Sequence, residues 1–488
     1  MEMAIRTISW LWAFFFIVSA VKSSSELTEL IPKELQKKIL RTIFWQAYFI
    51  EKNLSKYSFA NNHLIGEAVG LFFIGSILPF LPRAHIWKKK GWRILCDEIP
   101  KQIFPDGVSK EQSNAYLFFV FDLCTIAILL AKDQGMDIPK EILARLEKSC
   151  EYIMHQIDHE GNVPNIGDSS DASALKLHSK DINPYCSMLN TGAILFKRSD
   201  FKYWGRQIDE RNFWLFSETG LNIYESLTSE YKPLGSKFFQ YGGQIIFRHE
   251  YAPKKETVMH IDGGPFGYLS ICAHAHADAL SFVLNLSNNP ILVDPGTYLY
   301  HDGGKWRDYF RGTKAHNTIE IDGKDQAESG GPFLWLTRPE TFVRRFESSP
   351  EKDILEVEHS GYKRLKDPVI HKRYFVFNKK RLWWMIKDEI ICKKKHHIMQ
   401  TFHFHPKCVV KEIDKHMFEV IVQDIKMFIK LDPKLSCSLH KGETEPIFGW
   451  FSARFGEKEP CFTLVAEMNI SGPQRFNTYI WKEVSMDN

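Results

Sequence analysis

The stretch HAHADALSF, residues 274–282, joins three ionisable side chains to an apolar run in the strand-rich half of the chain. His274, His276 and Asp278 alternate with alanines, and side chains two residues apart in a strand point to the same face of its sheet. Side chains grouped in this way bind a metal, transfer protons or satisfy one another. The spacing therefore predicts an extended segment with three polar groups on one face, followed by a buried strand.

Short runs of β-branched and aromatic residues extend on both sides of this stretch, from about residue 192 to the C-terminus. Turn residues separate the runs, and no helical pattern comes between them. Residues 369–390, VIHKRYFVFNKKRLWWMIKDEI, have the pattern of a β-hairpin with NKK at its turn. Many consecutive strands of this kind predict a large, sandwich-like assembly of antiparallel sheets.

The N-terminal part has helical periodicity instead. Between residues 31 and 157, apolar residues recur at helical spacing in five segments that are separated by short polar or proline-marked turns. Consecutive helices with short connections are typical of stacked antiparallel hairpins, as in a bundle or an α/α toroid. We therefore expect an α+β multidomain protein, with a helical domain, either a bundle or an α/α toroid, at 1–190 and a large antiparallel β domain at 191–488.

Length and composition limit the class of protein. A chain of 488 residues with 44% hydrophobic and 25% charged residues is globular and long enough for two or three domains. The net charge of +4 is weak, and the sequence has no basic stripe with interleaved aromatics, no zinc-finger spacing and no phosphate-binding glycine loop. Nucleic acid is therefore not expected as a partner. Nine scattered cysteines without a CxxC pair predict buried thiols rather than a disulfide framework.

The apolar segment Ile8–Val21 follows Arg6 and has two interpretations. Its position and composition resemble those of a secretory signal peptide, and it is too short to span a bilayer comfortably. Alternatively it is a buried first helix with Trp10 and Trp12 in a core, since tryptophans are unusual in a signal core and Glu2 weakens the positive start. No stable membrane span is expected, and the sequence leaves export and oligomeric state open.

Two further segments bring candidate metal ligands to the histidine stretch. Asp294 ends an apolar strand before Pro295-Gly296, and His316 begins another predicted strand. Together with His276 they make a histidine–aspartate–histidine set on adjacent strands, which can supply three ligands to a Zn²⁺-like cation. The competing interpretation is that all three are hydrogen-bonded residues at strand ends.

The helical half contains a second group of candidates. Asn61, Asn62 and His63 begin a predicted helix, where asparagine is a good N-cap, although two asparagines and a histidine exceed what one cap needs. Tyr116 enters a nearly apolar helix whose first turn is polar, so it can be a core residue with its hydroxyl at the rim. Capping and packing are therefore open alternatives to a functional role.

Taken together, these segments resemble the heparinase II/III family of polysaccharide lyases, whose relatives include alginate and heparin-sulfate lyases. The resemblance rests on four strings that occur in the family's order between about residues 40 and 330: NNHLIGEAVGLFF, DGVSKEQSNAY, HAHADALSFVLNLSNNPILVDPGTYLY and WRDYFRGTKAHNTIEIDGKDQAE. It implies an incomplete α/α toroid followed by antiparallel β-sheets, in agreement with the periodicity. It also implies β-elimination on an anionic polysaccharide that contains uronic acid.

The resemblance implies catalytic roles for four residues. Asn62 and His63, helped by His274, would neutralise the uronate carboxylate while the C5 proton leaves, because negative charge builds up there in the transition state. Tyr116 would protonate the leaving O4. It would act either as the acid alone, with a histidine as base, or as both acid and base.

The resemblance also implies a metal site and substrate contacts. His276, Asp294 and His316 would hold a mainly structural Zn²⁺ that fixes the strands presenting His274. Tyr309 and Arg311, in the string WRDYFRGT, are expected to contact the substrate, since arginine pairs with carboxylates and sulfates in a bidentate manner. The third ionisable residue of the opening stretch, the aspartate, is expected to be structural.

The chain departs from the family's pattern at its N-terminus, where MEMAIRTISWLWAF resembles an internal helix of longer members, and at Ala275, where relatives often carry glycine. The loop GNVPNIGDSSDA keeps a Pro-Asn-Ile-Gly-Asp sequence that lies near the cleft in relatives. Asp168 is therefore a further site candidate, although an aspartate in such a loop is more often a turn residue.

Two alternatives to a lyase stay open at this point. One is a glycan-binding or assembly protein of envelope or capsule polysaccharide metabolism with little turnover. The other is a zinc hydrolase, which ranks last because no HExxH-type general base accompanies the ligands. A lyase function would favour a periplasmic or secreted location.

Overall fold

The structure is a computed structural model that describes residues 1–21, 24–179, 181–252 and 255–483. The chain divides into two compact units of three segments each. The helical unit consists of Met1–Gly107, Tyr116–Cys150 and Ala172–Ser229. The β unit consists of Val108–Ala115, Glu151–Asp171 and Glu230–Asn488. The expected fold class, α+β with helices first and large antiparallel sheets after them, is confirmed.

Most of the helices come before the first strand. They are α1 Glu2–Ala20, α2 Ser24–Leu30, α3 Lys33–Lys52, α4 Asn62–Ile77, α5 Ala84–Gln102, α6 Asn114–Asp133, α7 Lys140–Gln156, α8 Pro184–Phe196, α9 Ser199–Gly205 and α10 Glu210–Ser226. A further short helix, α11 Lys305–Arg311, lies in the β unit. The five helical segments expected from periodicity are confirmed as α3 to α7.

Three helices lie where strands were expected to begin. The strand pattern was placed from about residue 192, but α8 runs through that position and α9 and α10 follow it. Asn183 caps α8 by accepting the N–H groups of Tyr185 and Cys186, and Asp209 caps α10 by accepting the Asn212 N–H at 2.9 Å. The expectation was wrong because aromatic-rich segments are compatible with both the helical and the strand period. The N-cap hydrogen bonds stabilise these segments as helices.

Close packing joins α1 to α4 within the helical unit. Ala4, Thr7 and Ile8 of α1 are fully buried. A Cβ added at Gly70 of α4 would lie 2.4 Å from the Ala4 Cβ, so glycine permits the approach of the two backbones. By length and composition, α1 and α6 could each cross a bilayer, but 78% of the apolar window of α6 is buried inside the protein, as in a core helix.

The strands of the β unit run from residue 237 to residue 482. The first twelve are β1 Lys237–Phe239, β2 Gln244–Ala252, β3 Lys255–Asp262, β4 Phe282–Leu286, β5 Asn289–Leu292, β6 Ile319–Ile321, β7 Ser329–Gly331, β8 Leu334–Trp335, β9 Thr341–Ser348, β10 Lys352–His359, β11 Ile370–Asn378 and β12 Trp383–Ile391. The others are β13 Lys395–His403, β14 Val409–Asp414, β15 Met417–Val422, β16 Ile425–Lys430, β17 Ser436–Lys441, β18 Glu443–Thr444, β19 Ile447–Phe448, β20 Trp450–Phe451, β21 Glu459–Pro460, β22 Phe462–Ser471 and β23 Gln474–Lys482.

Three larger antiparallel sheets contain most of these strands, and β7-β8, β18-β19 and β20-β21 form separate two-stranded sheets. The five-stranded sheet has the order β1-β2-β3-β4-β5, and the four-stranded sheet has the order β17-β22-β13-β6. The eight-stranded sheet has the order β14-β15-β16-β23-β12-β11-β10-β9. The expected hairpin is confirmed as β11 and β12, in which Phe375 pairs with Ile386. Burial alternates along both strands, so one face of this sheet packs into the core of the unit and the other faces outward.

Candidate active site and metal-ligand cluster

The histidine stretch that precedes β4 is a series of turns. The strand itself begins only at Phe282. Positive φ angles, 49° at Cys272 and 62° at Leu280, bend the backbone on either side of the histidines, and the Ala275 N–H donates to the Cys272 carbonyl at 3.1 Å. The prediction that three ionisable side chains share one strand face is therefore wrong, because the segment does not pair with a sheet.

Both histidines of the stretch meet at the carboxylate of Asp168. Asp168 Oδ2 lies 3.1 Å from His274 Nδ1, and Asp168 Oδ1 lies 3.1 Å from His276 Nε2. Arg307 binds the same carboxylate through both terminal nitrogens, with 2.8 Å between Nη2 and Oδ2. Asp168 is 0% exposed and Arg307 is 1% exposed. We refer to Asp168, His274, His276 and Arg307 as the Asp168 network.

The backbone holds the Asp168 loop against the histidine turn. The Asp168 N–H donates to the His274 carbonyl at 3.0 Å. The preceding Gly167 has a φ of +62°, and a Cβ there would lie 2.3 Å from the Gln112 carbonyl oxygen and 2.9 Å from that of His274. Glycine is therefore required by both conformation and space. The Ile-Gly-Asp sequence thus positions Asp168 through its backbone as well as through its side chain.

The charge on Asp168 determines which histidine nitrogens carry protons. Burial alone would raise the pKa of Asp168, but Arg307 and the hydrogen bonds from the two histidines hold that pKa well below its ordinary value. An ionised carboxylate only accepts, so His274 Nδ1 and His276 Nε2 must donate. His276 therefore turns Nδ1 away from Asp168, and His274 turns Nε2 toward Glu111, whose carboxylate is 3.6 Å away.

His276 Nδ1 belongs to a buried cluster of ligand atoms. His276, Asp278, Asp294 and His316 each contribute one such atom, and the four atoms lie within 4.8 Å of one another. We call these four residues the ligand cluster. His276 Nδ1 is 3.1 Å from His316 Nε2, which in turn is 3.4 Å from Asp294 Oδ2. His316 Nδ1 lies 2.8 Å from the Gly312 carbonyl and donates to it. The two neutral imidazoles would thus face each other with lone pairs, which requires a proton or a cation between them.

The donor set fits a small divalent cation. Zn–N bonds of about 2.0–2.1 Å place tetrahedral ligand atoms about 3.3 Å apart. His316 Nε2 lies 3.1 Å from His276 Nδ1 and 3.4 Å from Asp294 Oδ2, and all four ligand atoms lie within 4.8 Å of one another. Burial and the neighbouring Asp294 raise the pKa of Asp278. Although burial acts in the opposite direction, Asp294 and Asp278 raise the pKa of His316 to about 9. The carboxylates around His316 therefore favour a positive charge in the cluster, which a bound cation would supply in place of that proton.

The remaining catalytic candidates lie in the helical unit and are described within it. Asn61 is the N-cap of α4, because its side chain accepts the His63 N–H at 3.1 Å. Asn62 is therefore not needed as the cap; it is the first helical residue and is fully buried, while His63 is exposed. Tyr116 lies partly buried in the first turn of α6, with its ring edge-on to that of Phe119 at 6.5 Å between centroids.

The two expected substrate contacts are buried in the β unit. Tyr309 is 2% exposed and Arg311 is 0% exposed. The Arg311 guanidinium donates to the Pro332 carbonyl at 3.1 Å and to the Ser329 hydroxyl, and it lies 4.2 Å from the centroid of the Trp335 ring. Both residues therefore pack inside the unit, and substrate contact by either of them stays a prediction.

Arg307 is the network member that the sequence analysis missed. The one sequence feature that pointed to Arg307 is its position four residues before Arg311, which puts both side chains on the same face of one helix. Asp278 was expected to be structural, yet it joins the ligand cluster. Asp168 is a buried centre of hydrogen bonds rather than a simple turn residue. Its partners could not be found locally, because they are 106 positions away at His274 and 139 positions away at Arg307.

The sequence matches two family models. Residues 232–479 match the model described as "Heparinase II/III-like, C-terminal", and residues 18–192 match "Heparinase II/III N-terminus". Curated relatives include a heparin-sulfate lyase of Bacteroides stercoris, 26% identical over 351 residues, and one of Bacteroides thetaiotaomicron, 23% identical over 345 residues. These alignments cover 70% and 68% of this chain but only 45% of each relative, so the chain matches just under half the length of those proteins.

Solved structures share the fold. The crystal structure of heparinase III superposes with a TM-score of 0.72 at 19% identity, covering 91% of this chain and 64% of that one. Heparan sulfate lyase HepC from Pedobacter heparinus superposes with a TM-score of 0.67 at 19% identity, covering 93% of this chain and 64% of that one. At this level of identity the similarity establishes the architecture, a helical N-terminal part followed by antiparallel sheets.

Proposed function

The chain belongs to the heparinase II/III-like family, and from that premise we propose that it cleaves a uronic-acid-containing glycosaminoglycan by β-elimination. The observation that carries the proposal is the buried Asp168 network, in which one carboxylate orients His274 and also orients a member of the ligand cluster. The substrate class is supported by the similarity to heparin-sulfate lyases at 22% to 26% identity.

The chemistry explains why amides and imidazoles are needed. The C5 proton of a uronate is a poor acid, and its removal places negative charge on the adjacent carboxylate. Groups that neutralise this charge stabilise the transition state more than the substrate. We assign this role to Asn62 and His63, helped by His274. The electrons of the C5–H bond form the C4–C5 double bond, the C4–O4 bond breaks, and O4 leaves with a proton.

Tyr116 is the proposed proton donor to O4. It acts either as the acid alone, with a histidine as base, or as both acid and base in turn. A tyrosine base requires a pKa that is lowered by neighbouring positive or hydrogen-bonding groups. The two schemes therefore differ in the pH at which the rate begins to rise.

We further propose that His276, Asp294 and His316 hold a structural Zn²⁺, with Asp278 as the fourth ligand. Bound there, the ion would supply positive charge to a volume crowded with carboxylates. The protein's own contribution is orientation: His276 donates Nε2–H to Asp168, which in turn accepts from His274 Nδ1. This arrangement fixes the tautomer and the position of both rings.

The decisive measurement is the ultraviolet absorbance of the unsaturated uronate product. The purified protein would be mixed in turn with heparan sulfate, hyaluronan, chondroitin sulfate and alginate. We expect absorbance to rise with a sulfated glycosaminoglycan, and Tyr116→Phe to lower that rate by about 100-fold or more, as for the loss of a general acid or base. Tyr203→Phe, in α9 of the same unit, is the matched control and should retain the parent rate.

Two results would contradict the proposal. A Tyr116→Phe protein with the parent rate would remove this tyrosine from the mechanism. Absence of product from every substrate, with glycan binding retained, would favour the alternative of a binding or assembly protein with little turnover.

A further inference from the structure

The outward face of the eight-stranded sheet carries a row of three aromatic side chains. Phe428 on β16 pairs in register with Trp481 on β23, which pairs on its other side with Trp383 on β12. All three are partly exposed. The buried residues that alternate with them are Leu382, Trp384, Met427, Ile429 and Ile480. The Phe428 and Trp481 rings stack, with 5.4 Å between centroids and 27° between planes. The row is therefore an apolar strip that crosses three adjacent strands.

Basic side chains border this row. Lys430 pairs in register with Tyr479 one step along the sheet, and both are exposed, Tyr479 at 40%. Arg381 is exposed in the turn that precedes β12. With the aromatic row, these residues line an open groove of about 630 Å³. We call the following six residues the outer-sheet groove: Arg381, Trp383, Phe428, Lys430, Tyr479 and Trp481.

The charge of the groove is positive. Glu483 also lines it, but Lys426 pairs with Glu483 at 3.4 Å and with Glu419 at 2.9 Å. Within the described part of the chain, Arg381 and Lys430 form no ion pair with an acidic side chain. The groove thus combines stacking surfaces with cations that protein carboxylates do not neutralise.

We propose that the outer-sheet groove is a second binding site for an anionic polysaccharide chain. The choice of ligand rests on the proposed function, but none of the six groove residues belongs to the Asp168 network or the ligand cluster. A pyranose ring has an apolar C–H face that stacks on aromatic rings, and its carboxylate or sulfate groups pair with lysine and arginine. Adjacent strands lie about 4.8 Å apart, a spacing similar to the length of one sugar unit. The three-ring row therefore suits two or three consecutive sugars.

Charge also argues against a second copy of this chain as the occupant. A two-fold interface would place the same patch on both sides. The Arg381 and Lys430 side chains of one copy would then approach those of the other, and like charges brought together disfavour such an interface. A polyanion instead gains from every cation in the groove.

Binding at the groove would hold a long chain while another part of the same chain is cleaved. The second contact then becomes intramolecular, which raises the apparent affinity without any change at the reacting sugar. Short oligosaccharides cannot occupy two sites and would show no such gain. The groove therefore affects KM for polymers and leaves kcat unchanged.

The test compares groove variants with a surface control in the full chain. Trp481→Ala, Tyr479→Ala and Lys430→Glu would be run beside Lys366→Glu, which makes the same charge change at an exposed position outside the groove. Retardation in gels containing heparan sulfate gives the affinity. We expect Trp481→Ala and Lys430→Glu to weaken binding about ten-fold, or 1.4 kcal/mol. KM for heparan sulfate should rise in proportion, while kinetics on a tetrasaccharide and the Lys366→Glu protein match the parent.

Several outcomes would overturn the proposal. If Trp481→Ala unfolds, Tyr479→Ala and Lys430→Glu still test the proposal, because they change exposed side chains. Retardation of both variants equal to that of the parent would refute the groove as a glycan site. Loss of a dimer in sedimentation, with unchanged retardation, would identify a second copy as the occupant. If no glycan is cleaved but the variants still lose retardation, the result supports the groove as a glycan site and contradicts the proposed lyase activity.

Discussion

Asp168 and Arg307 form an ion pair in which neither side chain reaches solvent. Taking two charges out of water is costly, and the pair remains favourable only while each charge has its partner. Four side chains, those of His274, His276, Thr297 and Arg307, hold Asp168 at once, so its removal affects more than one contact. Its substitution should therefore cost far more stability than that of a surface aspartate.

We expect Asp168→Ala to lower the free energy of unfolding by about 3–5 kcal/mol, because Arg307 stays charged and buried without its partner. The double variant Asp168→Leu with Arg307→Met removes both charges and should lose much less. Urea denaturation of the three proteins measures the difference. Equal losses in the single and double variants would show that the ion pair is not the cause.

Glu51 sets a second expectation, on the pH dependence of stability. Hydrogen bonds from Arg83 at 2.9 Å and from the Trp87 indole at 2.8 Å outweigh burial and lower the pKa of Glu51 from 4.5 to about 2. A carboxylate with a lowered folded-state pKa contributes stability that is fully present above its unfolded pKa and is lost as the pH falls through the folded value. Glu51 therefore stabilises the fold above about pH 4.5, and this contribution disappears between pH 4.5 and 2.

Glu51→Gln should flatten the dependence of unfolding free energy on pH across that interval. Glu34→Gln is the control, because Glu34 lies on the same helix but its side chain is 84% exposed. Denaturation series at closely spaced pH values give the two slopes. A Glu51→Gln protein with the parental slope would assign the acid sensitivity to other carboxylates.

At the scale of elements, periodicity predicted the β11–β12 hairpin correctly, because one face of each of its strands is buried and the other is not. The β11–β12 hairpin alternates between buried and partly exposed residues, and its buried Phe377 and Trp384 rings stack at 4.8 Å. The histidine turn also alternates in sequence, but His276 and Ala277 are both fully enclosed, at 1% and 0% exposure. Because neither side of this segment is exposed, its alternating sequence does not reflect a strand with one buried face, and a strand was wrongly expected.

Distant partners limited what could be predicted of the site. The ligand cluster was found in part because His276, Asp294 and His316 lie at predicted strand ends, where residue type and position are both informative. Arg307 could not be distinguished from Arg311 by pattern alone. Only the fold reveals that Arg307 pairs with Asp168 while Arg311 contacts Ser329.

The contact between α1 and α4 leads to a prediction about helix packing. Gly70→Ala should lower the free energy of unfolding by about 1–3 kcal/mol, because its Cβ would overlap that of Ala4 and the helices must separate. The compensating variant Gly70→Ala with Ala4→Gly returns the missing space and should recover part of the loss. Thermal unfolding of both proteins measures this. Failure of the second change to help would show that the cost arises elsewhere.

At the scale of the whole molecule, the described residues offer two groups that could ligate a metal, and they differ in the state of their donors. In the group of Asp367, Cys392 and His396, the Asp367 Oδ2 atom already accepts the backbone N–H groups of Lys393 and Lys394 and lies 3.0 Å from His396 Nε2. In the ligand cluster, by contrast, ring nitrogens face one another. The ligand cluster is therefore the better candidate for a metal site.

We expect the purified protein to contain about one zinc per chain by elemental analysis, as for a single structural site. His316→Ala should lose the metal and unfold at a lower temperature, since metal binding contributes to folding. Cys392→Ser, in the other group, is the control and should keep it. Zinc retained by His316→Ala but lost by Cys392→Ser would reverse the assignment.

The double attachment of Asp168 also makes two events at the site interdependent. The same carboxylate holds His274 and His276. Metal binding at the ligand cluster and the positioning of His274 are therefore linked by a coupling free energy. Such coupling acts equally in both directions. A sugar that orders His274 would tighten the binding of zinc at the ligand cluster, and zinc would tighten the binding of that sugar by the same factor without touching it.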